Sequence, residues 1–404
     1  VVLRQARRVH GRDLGDAMSS TAIQAPEEAR GPRLGGLLLI DPLLLLAVLG
    51  LVACSVITLH GAVGSSSAER QAVYASIGFV IALILMRFDY SRLREYKYGF
   101  YGLMIVLNIV VFGMPAIQGS RRWIPLPGFE FQSSEFGKVL LIVALAGFLV
   151  DRSRRLHERR TTARIMLLAL IPAMLVIPQP DLGTGMVYVA IGFMVLVVAG
   201  TSWKQLTGLV TLFVCAIVIA LVAAPALGVH PLSKYQTERL TGFLNPSSNP
   251  QNQTYQIGQS LIAIGSGEKT GRGVANATET KLDFLPAPNT DFIFAAIGET
   301  YGFVGAAIVL SLYALLIWRA LRILTMSKNL YGTVIAGGIL AMLMFQVFVN
   351  VGMTVGIMPI TGVPLPLISY GGSSVVVTFI AFGLLQSIHI QARLTAVGKS
   401  RTLL

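Results

Sequence analysis

The chain has 404 residues, of which 54% are hydrophobic and only 13% are charged. Soluble domains carry about 25% charged residues, so this composition, with a mean hydropathy of +0.70, excludes an ordinary soluble protein and predicts a polytopic membrane protein. The formal net charge of +13 could indicate nucleic-acid binding, but in a membrane protein a basic excess commonly reflects orientation in the bilayer.

The first 34 residues differ from the rest of the chain. They hold six arginines and four acids, with no apolar periodicity, a composition typical of disorder. No short apolar stretch followed by small residues marks a signal peptide. We therefore predict a disordered cytoplasmic tail over residues 1–34, a membrane domain over residues 35–392 and a short cytoplasmic tail over residues 393–404.

Ten apolar segments follow, each close to the roughly 20 residues that a helix needs to cross a bilayer. The sequence therefore predicts an all-α polytopic membrane protein with ten transmembrane helices. A long extracytoplasmic loop, residues 229–290, separates helices 7 and 8. The predicted spans are 37–59, 71–88, 97–117, 136–151, 163–179, 183–200, 205–228, 291–318, 329–355 and 363–391.

Lysine and arginine are divided unevenly between the two predicted faces. With the amino terminus inside, 23 of the 32 fall in cytoplasmic segments and 8 in outer segments. Because cytoplasmic loops are enriched in these residues, the bias supports both termini being cytoplasmic. It also explains the basic composition without any nucleic-acid partner.

Two charged residues are predicted within the membrane or at its edge. Lys138 falls in the fourth span, and Asp181 directly precedes the sixth. A lone charge at that depth costs about 3 kcal/mol, so we predict that the two form an ion pair across two helices. Glu135, on the same helical face as Lys138, is an alternative partner. The pair either serves a site or only locks the helices together.

Two more acids stand where a polar loop meets an apolar helix. Asp291 falls at the boundary between water and bilayer, where a carboxylate is costly unless it has a function or a partner. We predict that Asp291 is catalytic and faces outward; the alternative is that it only caps the helix. Glu299, two turns deeper, is either a structural residue or one that tunes the substrate-binding site.

Arginines on the predicted outer face are candidates for binding phosphate, because the planar guanidinium can contact phosphate oxygens in a bidentate way. They are Arg121, Arg122 and Arg239, and the alternative is that they are ordinary solvated loop charges. Prolines and glycines from Pro359 to Gly372 interrupt the helical pattern. Irregular backbone at membrane depth is tolerated where it is buried in protein or lines a cavity, and we predict a cavity wall there.

Seven segments in chain order carry a resemblance to a known family. They read GSRRWI from Gly119, QSSEFGK from Gln132, QPDLGT from Gln179, RLTGFLNP from Arg239, YQIGQSLIAIGSG from Tyr255, TDFIF from Thr290 and GVPLPLISYGGS from Gly362. Together they resemble the SEDS family (shape, elongation, division and sporulation), over about residues 36 to 392. The segments KLDFLP from Lys281 and DYSRL from Asp89 are more similar to its elongation members than to its division members.

The resemblance implies a peptidoglycan glycosyltransferase that polymerises lipid II into β-1,4 glycan strands at the outer face of the bacterial cytoplasmic membrane during cell elongation. It implies that Asp291 is the essential catalytic residue and that Lys138 and Asp181 lie in a central cavity. It also implies a class B penicillin-binding protein and elongation-complex proteins as partners. The chain departs from the family at Ala287 and Asn289, where an acid and a histidine are usual.

An α-linked donor sugar and a β-linked product require inversion at the sugar carbon. In one displacement this needs a base that deprotonates the acceptor hydroxyl and a group that stabilises the departing diphosphate. We assign Asp291 as the base and the outward arginines to the pyrophosphates, a task that a divalent cation such as Mg²⁺ or Mn²⁺ could share. The rival interpretations are a lipid II flippase, which moves the same lipid without chemistry, and a non-catalytic scaffold that recruits the transpeptidase.

Overall fold

The computed structural model of the chain describes residues 39–62, 64–115, 120–126, 129–156, 158–223 and 253–401. The tail predicted over residues 1–34, the predicted phosphate ligand Arg239 and the first part of the predicted outer loop lie outside the described residues. The described part is mainly helical, as predicted, and includes one two-stranded hairpin.

The first half of the described chain contains seven helices and the hairpin. A 3-10 turn, Tyr90–Tyr96, leads into the third helix, and a π turn, Ile219–Ala223, extends the seventh. The hairpin strands are β1, Trp123–Leu126, and β2, Phe129–Gln132. The helices are α1 (Pro42–Ala62), α2 (Ser65–Leu85), α3 (Lys97–Val110), α4 (Ser133–Val150), α5 (Arg159–Val176), α6 (Leu182–Val198) and α7 (Trp203–Val218).

The second half begins with short helices inside the predicted outer loop and ends with three long ones. The short helices were not predicted, because this stretch reads as polar and irregular in the sequence. The helices are α8 (Gln253–Ser266), α9 (Gly273–Asn276), α10 (Thr278–Lys281), α11 (Ile293–Met326), α12 (Leu330–Thr354) and α13 (Gly372–Arg401).

Each of the ten apolar segments predicted from the sequence overlaps one of these helices. Helices α6 and α7 are apolar but have only 17 and 16 residues, and α5 begins with two arginines. The described residues therefore form a helical bundle with seven candidate membrane spans. These are Pro42–Ala62, Ser65–Leu85, Tyr90–Gly113, Ser133–Val150, Ile293–Met326, Leu330–Thr354 and Gly372–Ala396.

Helix α4 lies at the centre of the bundle. Nearly all of its residues are buried, and it contacts α3, α5, α6, α12 and α13. Small residues permit close packing: a Cβ on Gly338 of α12 would lie 2.8 Å from the side chain of Ile142 in α4. Close approach of this kind stabilises helix pairs in lipid, where the surrounding hydrocarbon is as apolar as the side chains.

Helix α11 is interrupted at Gly302, whose φ of 64° and ψ of −159° are not helical. The N–H groups of Phe303 and Val304, freed by the break, donate to the carbonyls of Glu268 and Lys269 at 2.9 and 3.1 Å. The turn after α8 thus supplies the acceptors that the helix itself lacks, which a break within a candidate membrane span requires.

The stretch between α12 and α13, residues 355–371, is called the connecting segment below. Side chains of three helices donate to its carbonyls: Ser55 Oγ to Ile368 at 2.7 Å, Gln71 Nε2 to Ser369 at 3.1 Å and Tyr313 Oη to Pro366. Leu365, Leu367 and Ile368 are at most 1% exposed. The predicted irregular backbone is therefore present, and much of it is buried in protein.

Candidate active site

Asp291 stands two residues before the first residue of α11, Ile293. The N-cap position belongs to Phe292, which makes no side-chain capping bond, so Asp291 is not the N-cap that the simpler interpretation required. The preceding turn is formed around Ala287, whose φ is 45° and whose carbonyl accepts from the N–H of Thr290 at 3.2 Å. The Asp291 side chain remains only partly buried, so it can reach a ligand.

Three successive main-chain carbonyls around Asp291 accept hydrogen bonds from α12 and the connecting segment. The contacts are Tyr370 N to Asn289 O at 2.8 Å, Ser369 Oγ to Thr290 O at 2.6 Å, and Asn350 Nδ2 to Asp291 O at 3.1 Å. The backbone of this turn is therefore held on one side, while the carboxylate lies outside that set of bonds.

Glu299 has a different environment although it lies on the same helix. Its side chain is 0% exposed. One carboxylate oxygen accepts from the N–H of Glu279 at 2.8 Å, and the other accepts from the N–H and hydroxyl of Thr280 at 3.0 and 2.6 Å. Of the two predicted roles of Glu299, this geometry favours the structural one: Glu299 fixes the first turn of α10 against α11.

The ion pair predicted between Lys138 and Asp181 is not formed. Among the described residues, the carboxylate within ion-pair distance of Lys138 is that of Glu135, with Nζ 2.7 Å from Oε1, and both side chains are at most 2% exposed. Glu135 was the alternative partner, one turn away on α4. A buried ammonium is stabilised by the acid nearest to it, and the shared helix places Glu135 there without any inter-helix alignment.

Asp181 is buried and has other partners. It is the N-cap of α6, where Oδ1 accepts from the N–H of Thr184 at 3.1 Å. Its Oδ2 accepts from Ser134 Oγ at 2.9 Å and from Gln132 Nε2 at 3.2 Å. The helix N-terminus and two neutral donors stabilise the negative charge, so Asp181 needs no lysine.

The start of α4 and the start of α11 border the same connecting segment. A Cβ on Gly183, two residues after Asp181, would lie 2.7 Å from the carbonyl oxygen of Thr361. Asn350 donates to Val363 O at 2.8 Å as well as to Asp291 O. The buried charges near α4 and the partly buried acid near α11 thus share one wall of irregular backbone.

The two described arginines of the predicted phosphate site differ in exposure. Arg121 is exposed and its Nη1 donates to Phe112 O at 3.1 Å. Arg122 is partly buried, donates to Ser120 Oγ at 3.0 Å and places its guanidinium carbon 4.5 Å from the centre of the Trp123 ring. Both keep donors that these contacts do not use, because a guanidinium has five N–H groups.

A cavity of about 370 Å³ lies between α1 and α11. Its lining is mainly apolar and includes Ile57 of α1 and Ile297 and Val309 of α11, with the hydroxyl-bearing Thr58 and Tyr301. Its volume is in the range of roughly 300–1,000 Å³ that small-molecule sites occupy. None of the predicted site residues that the structure describes lines this cavity.

The described part of the chain contains no group of three or more His, Cys, Asp or Glu side chains arranged to hold a metal ion. Glu135 and Asp181 are near the same turn of α4, but each is engaged by protein donors. Among the described residues no protein-held site for a divalent cation is formed, and the predicted role of Mg²⁺ or Mn²⁺ stays a prediction.

Sequence reasoning missed Asn350 and Ser369, whose side chains bond to the backbone of the Asp291 turn. Gln346, Asn350 and Thr354 recur every fourth residue along α12, and each is at most 2% exposed. This spacing places them on one face of an otherwise apolar helix, which is a signal that the sequence does contain. Ser369 had no comparable signal, because it lies in an irregular segment without periodicity.

The chain matches proteins of known family and fold. A profile described as "Cell cycle protein", named for FtsW, RodA and SpoVE, matches residues 36–394. The peptidoglycan glycosyltransferase MrdB of Escherichia coli K12 is 37% identical over 358 residues, which cover 88% of this chain and 95% of that protein. The stage V sporulation protein E of Bacillus subtilis is 34% identical over 331 residues, covering 81% and 87%.

Solved structures agree with the sequence matches. A chain from a peptidoglycan synthase complex that coordinates polymerization and crosslinking has a TM-score of 0.74 and 33% identity, covering 87% of this chain and 98% of that one. The crystal structure of the Thermus thermophilus rod shape determining protein RodA has a TM-score of 0.64 and 29% identity, covering 87% and 96%. The chain therefore belongs to the FtsW, RodA and SpoVE family, the SEDS family that its motifs resemble.

Proposed function

We propose that this member of the family is a peptidoglycan glycosyltransferase that polymerises lipid II into β-1,4 glycan strands at the outer face of the bacterial cytoplasmic membrane. Relatives that match most of the chain bear the name peptidoglycan glycosyltransferase. The observation that carries the assignment of the site is Asp291, a partly buried acid just before α11. Asn350, Ser369 and the N–H of Tyr370 donate to the backbone of its turn.

The proposed topology has ten spans with both termini in the cytoplasm. It counts α5, α6 and α7 as spans in addition to the seven candidates. The uneven distribution of Lys and Arg supports this orientation. In it, Asp291, Arg121 and Arg122 all belong to the outer face, where the active site opens.

In the proposed reaction, Asp291 takes the proton from the acceptor sugar 4-hydroxyl as that oxygen attacks the donor sugar carbon. The new oxygen–carbon bond forms on one side while the carbon–oxygen bond to the pyrophosphate breaks on the other, so the configuration inverts. The electron pair leaves with the polyprenyl pyrophosphate, and the proton stays on the Asp291 carboxylate. A base placed within hydrogen-bond reach of the hydroxyl contributes about 10²–10⁴-fold to such a step.

The remaining substrate parts are assigned by chemistry. Arg121 and Arg122 hold the pyrophosphate oxygens, with Arg239 as a further candidate outside the described residues. The apolar cavity between α1 and α11 takes part of a polyprenyl tail: its lining residue Ile297 follows Asp291 by six residues, or roughly 9 Å of helix rise. Lipid II therefore lies with its sugars at Asp291 and its tail beside α11.

The buried pair of Glu135 and Lys138, together with Asp181, is assigned a structural role beside the connecting segment that also borders the Asp291 turn. Of the two departures from the family, Asn289 contributes its main-chain carbonyl to the contact with Tyr370, and Ala287 forms the turn that precedes Asp291. Neither position needs an acid or a histidine for those contacts. A class B penicillin-binding protein is the proposed partner, in keeping with the synthase complex to which the chain is similar.

The test uses purified protein, fluorescent lipid II and gel separation of the products, with and without the cognate transpeptidase. We expect glycan polymer with the wild type and none with Asp291→Ala. A matched control is Asp283→Asn, because Asp283 is an exposed acid in the same loop.

The competing functions give different results. If vesicles show lipid II crossing the bilayer in both wild type and Asp291→Ala and no polymer forms, the chain is a flippase. If neither polymer nor transport occurs and Asp291→Ala still supports growth, the chain is a scaffold. Adding EDTA to the polymerisation assay checks the predicted divalent cation.

A further inference from the structure

The turn that carries Asp291 is anchored by a small buried group of side chains. Asn350 is 0% exposed and lies one turn before the end of α12. Its Nδ2 donates to Asp291 O at 3.1 Å and to Val363 O at 2.8 Å. Because both partners are carbonyl oxygens, the group that faces them must be the amide NH₂. One side chain therefore joins α12, the connecting segment and the Asp291 turn.

Ser369 makes a second bridge of the same kind. It is 1% exposed, its hydroxyl donates to Thr290 O at 2.6 Å, and the same oxygen accepts from the N–H of Leu365 at 2.8 Å. The hydroxyl thus closes a turn of the connecting segment and holds the residue next to Asp291. The side chains of Asn350 and Ser369 are buried, while their hydrogen bonds to the Asp291 turn are part-buried.

We propose that Asn350 and Ser369 are positioning residues that fix the Asp291 carboxylate through its main chain; this inference rests on the proposed role of Asp291 as the base. Both side chains bond to main-chain carbonyls of the turn, so they set the position of Asp291 through its backbone.

The expected effect on the reaction follows from geometry. A base acts only within about 2.6–3.2 Å of the hydroxyl proton donor, and a displacement of about 1 Å can reduce the rate about 10²-fold. Removing one anchor should therefore lower kcat while leaving the binding of the large lipid substrate, and thus KM, nearly unchanged.

The kinetic test compares Asn350→Leu and Ser369→Ala with Asn329→Ala. Asn329 caps the opposite end of the same helix, where its Oδ1 accepts from Gly332 N at 2.7 Å, so its loss destabilises α12 without touching the Asp291 turn. We expect Asn350→Leu and Ser369→Ala to lower kcat roughly 10- to 100-fold, with KM within about twofold. We expect Asn329→Ala to lower the melting temperature with kcat within about twofold. An equal kcat loss in Asn329→Ala, at matched melting temperature, contradicts the proposal.

A double variant tests whether Asn350 acts through Asp291. Asp291→Glu moves the carboxylate by one methylene, so a further displacement by Asn350→Leu should cost less than it does in the wild type. If Asn350→Leu lowers kcat by the same factor in Asp291→Glu as in the wild type, the proposal is contradicted.

A labelling test does not depend on enzymatic activity. The chain has two cysteines, Cys54 and Cys215, and replacing both by serine gives a background for Asp291→Cys. We expect Asn350→Leu to change the reaction rate of that thiol with a water-soluble maleimide at least threefold, and Asn329→Ala to leave it unchanged. An unchanged rate in Asn350→Leu overturns the positioning role even if the wild type polymerises lipid II. A changed rate, together with a wild type that makes no polymer, supports the anchor and refutes the proposed function alone.

Discussion

Acids lie near the connecting segment both at the start of α4 and at the start of α11, but different atoms of these acids are held by the protein. At α4, Glu135 and Asp181 are almost fully buried, and protein donors or a lysine engage their carboxylates. At α11, the donors engage the backbone of the Asp291 turn and the side chain stays partly exposed. The first arrangement fixes the carboxylates themselves, and the second fixes the backbone of the turn that carries the acid.

The contrast extends along α11 itself. Glu299 lies eight residues after Asp291, has no exposure and has both oxygens occupied by the first turn of α10. Two carboxylates on one helix therefore have separate tasks, set by what each one contacts. Two properties therefore distinguish a candidate catalytic acid from a structural one. They are the exposure of the side chain, and whether the protein bonds to the backbone of the acid or to its carboxylate.

The largest effect is expected for Asp291→Asn, which should reduce activity without reducing stability. Asp291→Asn removes the base but keeps the size and the main-chain anchors, so polymerisation should fall about 10²–10⁴-fold while the melting temperature changes little. Polymerisation and thermal unfolding of the same preparation measure both. Asp283→Asn should change neither. If Asp291→Asn lowers the melting temperature enough to account for the lost polymerisation, Asp291 has a structural role like that of Glu299.

The next effect tests the buried pair on α4. Lys138→Met leaves Glu135 as an uncompensated buried acid and should lower the free energy of unfolding by about 3–5 kcal/mol. Adding Glu135→Gln removes the unpaired charge and should restore most of that stability. Unfolding in detergent with increasing SDS reports both variants. If the double variant is less stable than Lys138→Met alone, the Glu135 carboxylate stabilises the protein through contacts other than the one with Lys138.

A smaller effect is expected at Glu299. Glu299→Gln replaces one accepting oxygen by an NH₂ group that faces N–H donors, which should cost about 1–3 kcal/mol of stability with KM for lipid II unchanged. The exposed Glu268 in the neighbouring turn is the control, and Glu268→Gln should have no effect on unfolding. A rise in KM without any loss of stability would return Glu299 to the substrate site that the sequence suggested.

The smallest effect concerns the arginines near β1. Arg121→Ala and Arg122→Ala each remove one contact to pyrophosphate at a hydrated surface, so KM should rise roughly two- to fivefold, the size of an exposed ion pair. The rise should shrink as salt is added, because exposed charges are screened. Lys281→Ala, at an exposed position of α10, provides the comparison. Equal KM values in all three variants would show that these arginines are ordinary surface charges.

Much of the fold could be predicted because apolar length and a Lys and Arg bias are properties of single segments. Each predicted span overlaps a helix, and the interruption of the helical pattern near Pro364 and Pro366 was predicted correctly. The break at Gly302 was not predicted, because one glycine in an apolar run is common in membrane helices and its acceptors come from residues 268–269. Contacts between distant segments leave no trace in a local pattern.

At the candidate site too, contacts between distant segments could not be predicted from the sequence. Asp291 stood out because a carboxylate at a membrane boundary is costly. The partner of Lys138 was assigned wrongly because both Glu135 and Asp181 satisfied the requirement for an opposite charge, and only the packing of α6 on α4 decided between them. Asn350 carries no charge, so the cost that made the acids visible did not apply to it.

The break in α11 has a consequence for how the chain is made. The N–H groups of Phe303 and Val304 find their acceptors in the turn that follows α8, and an unsatisfied backbone group in hydrocarbon costs several kcal/mol. Since that turn precedes α11 in the chain, it is synthesised first and can fold onto the helix as the helix enters the bilayer. In the proposed ten-span topology, we therefore expect insertion of α11 to depend on the earlier translocation of residues 267–272, and shortening that turn should send the nascent protein to proteolysis before any enzymatic defect could be measured.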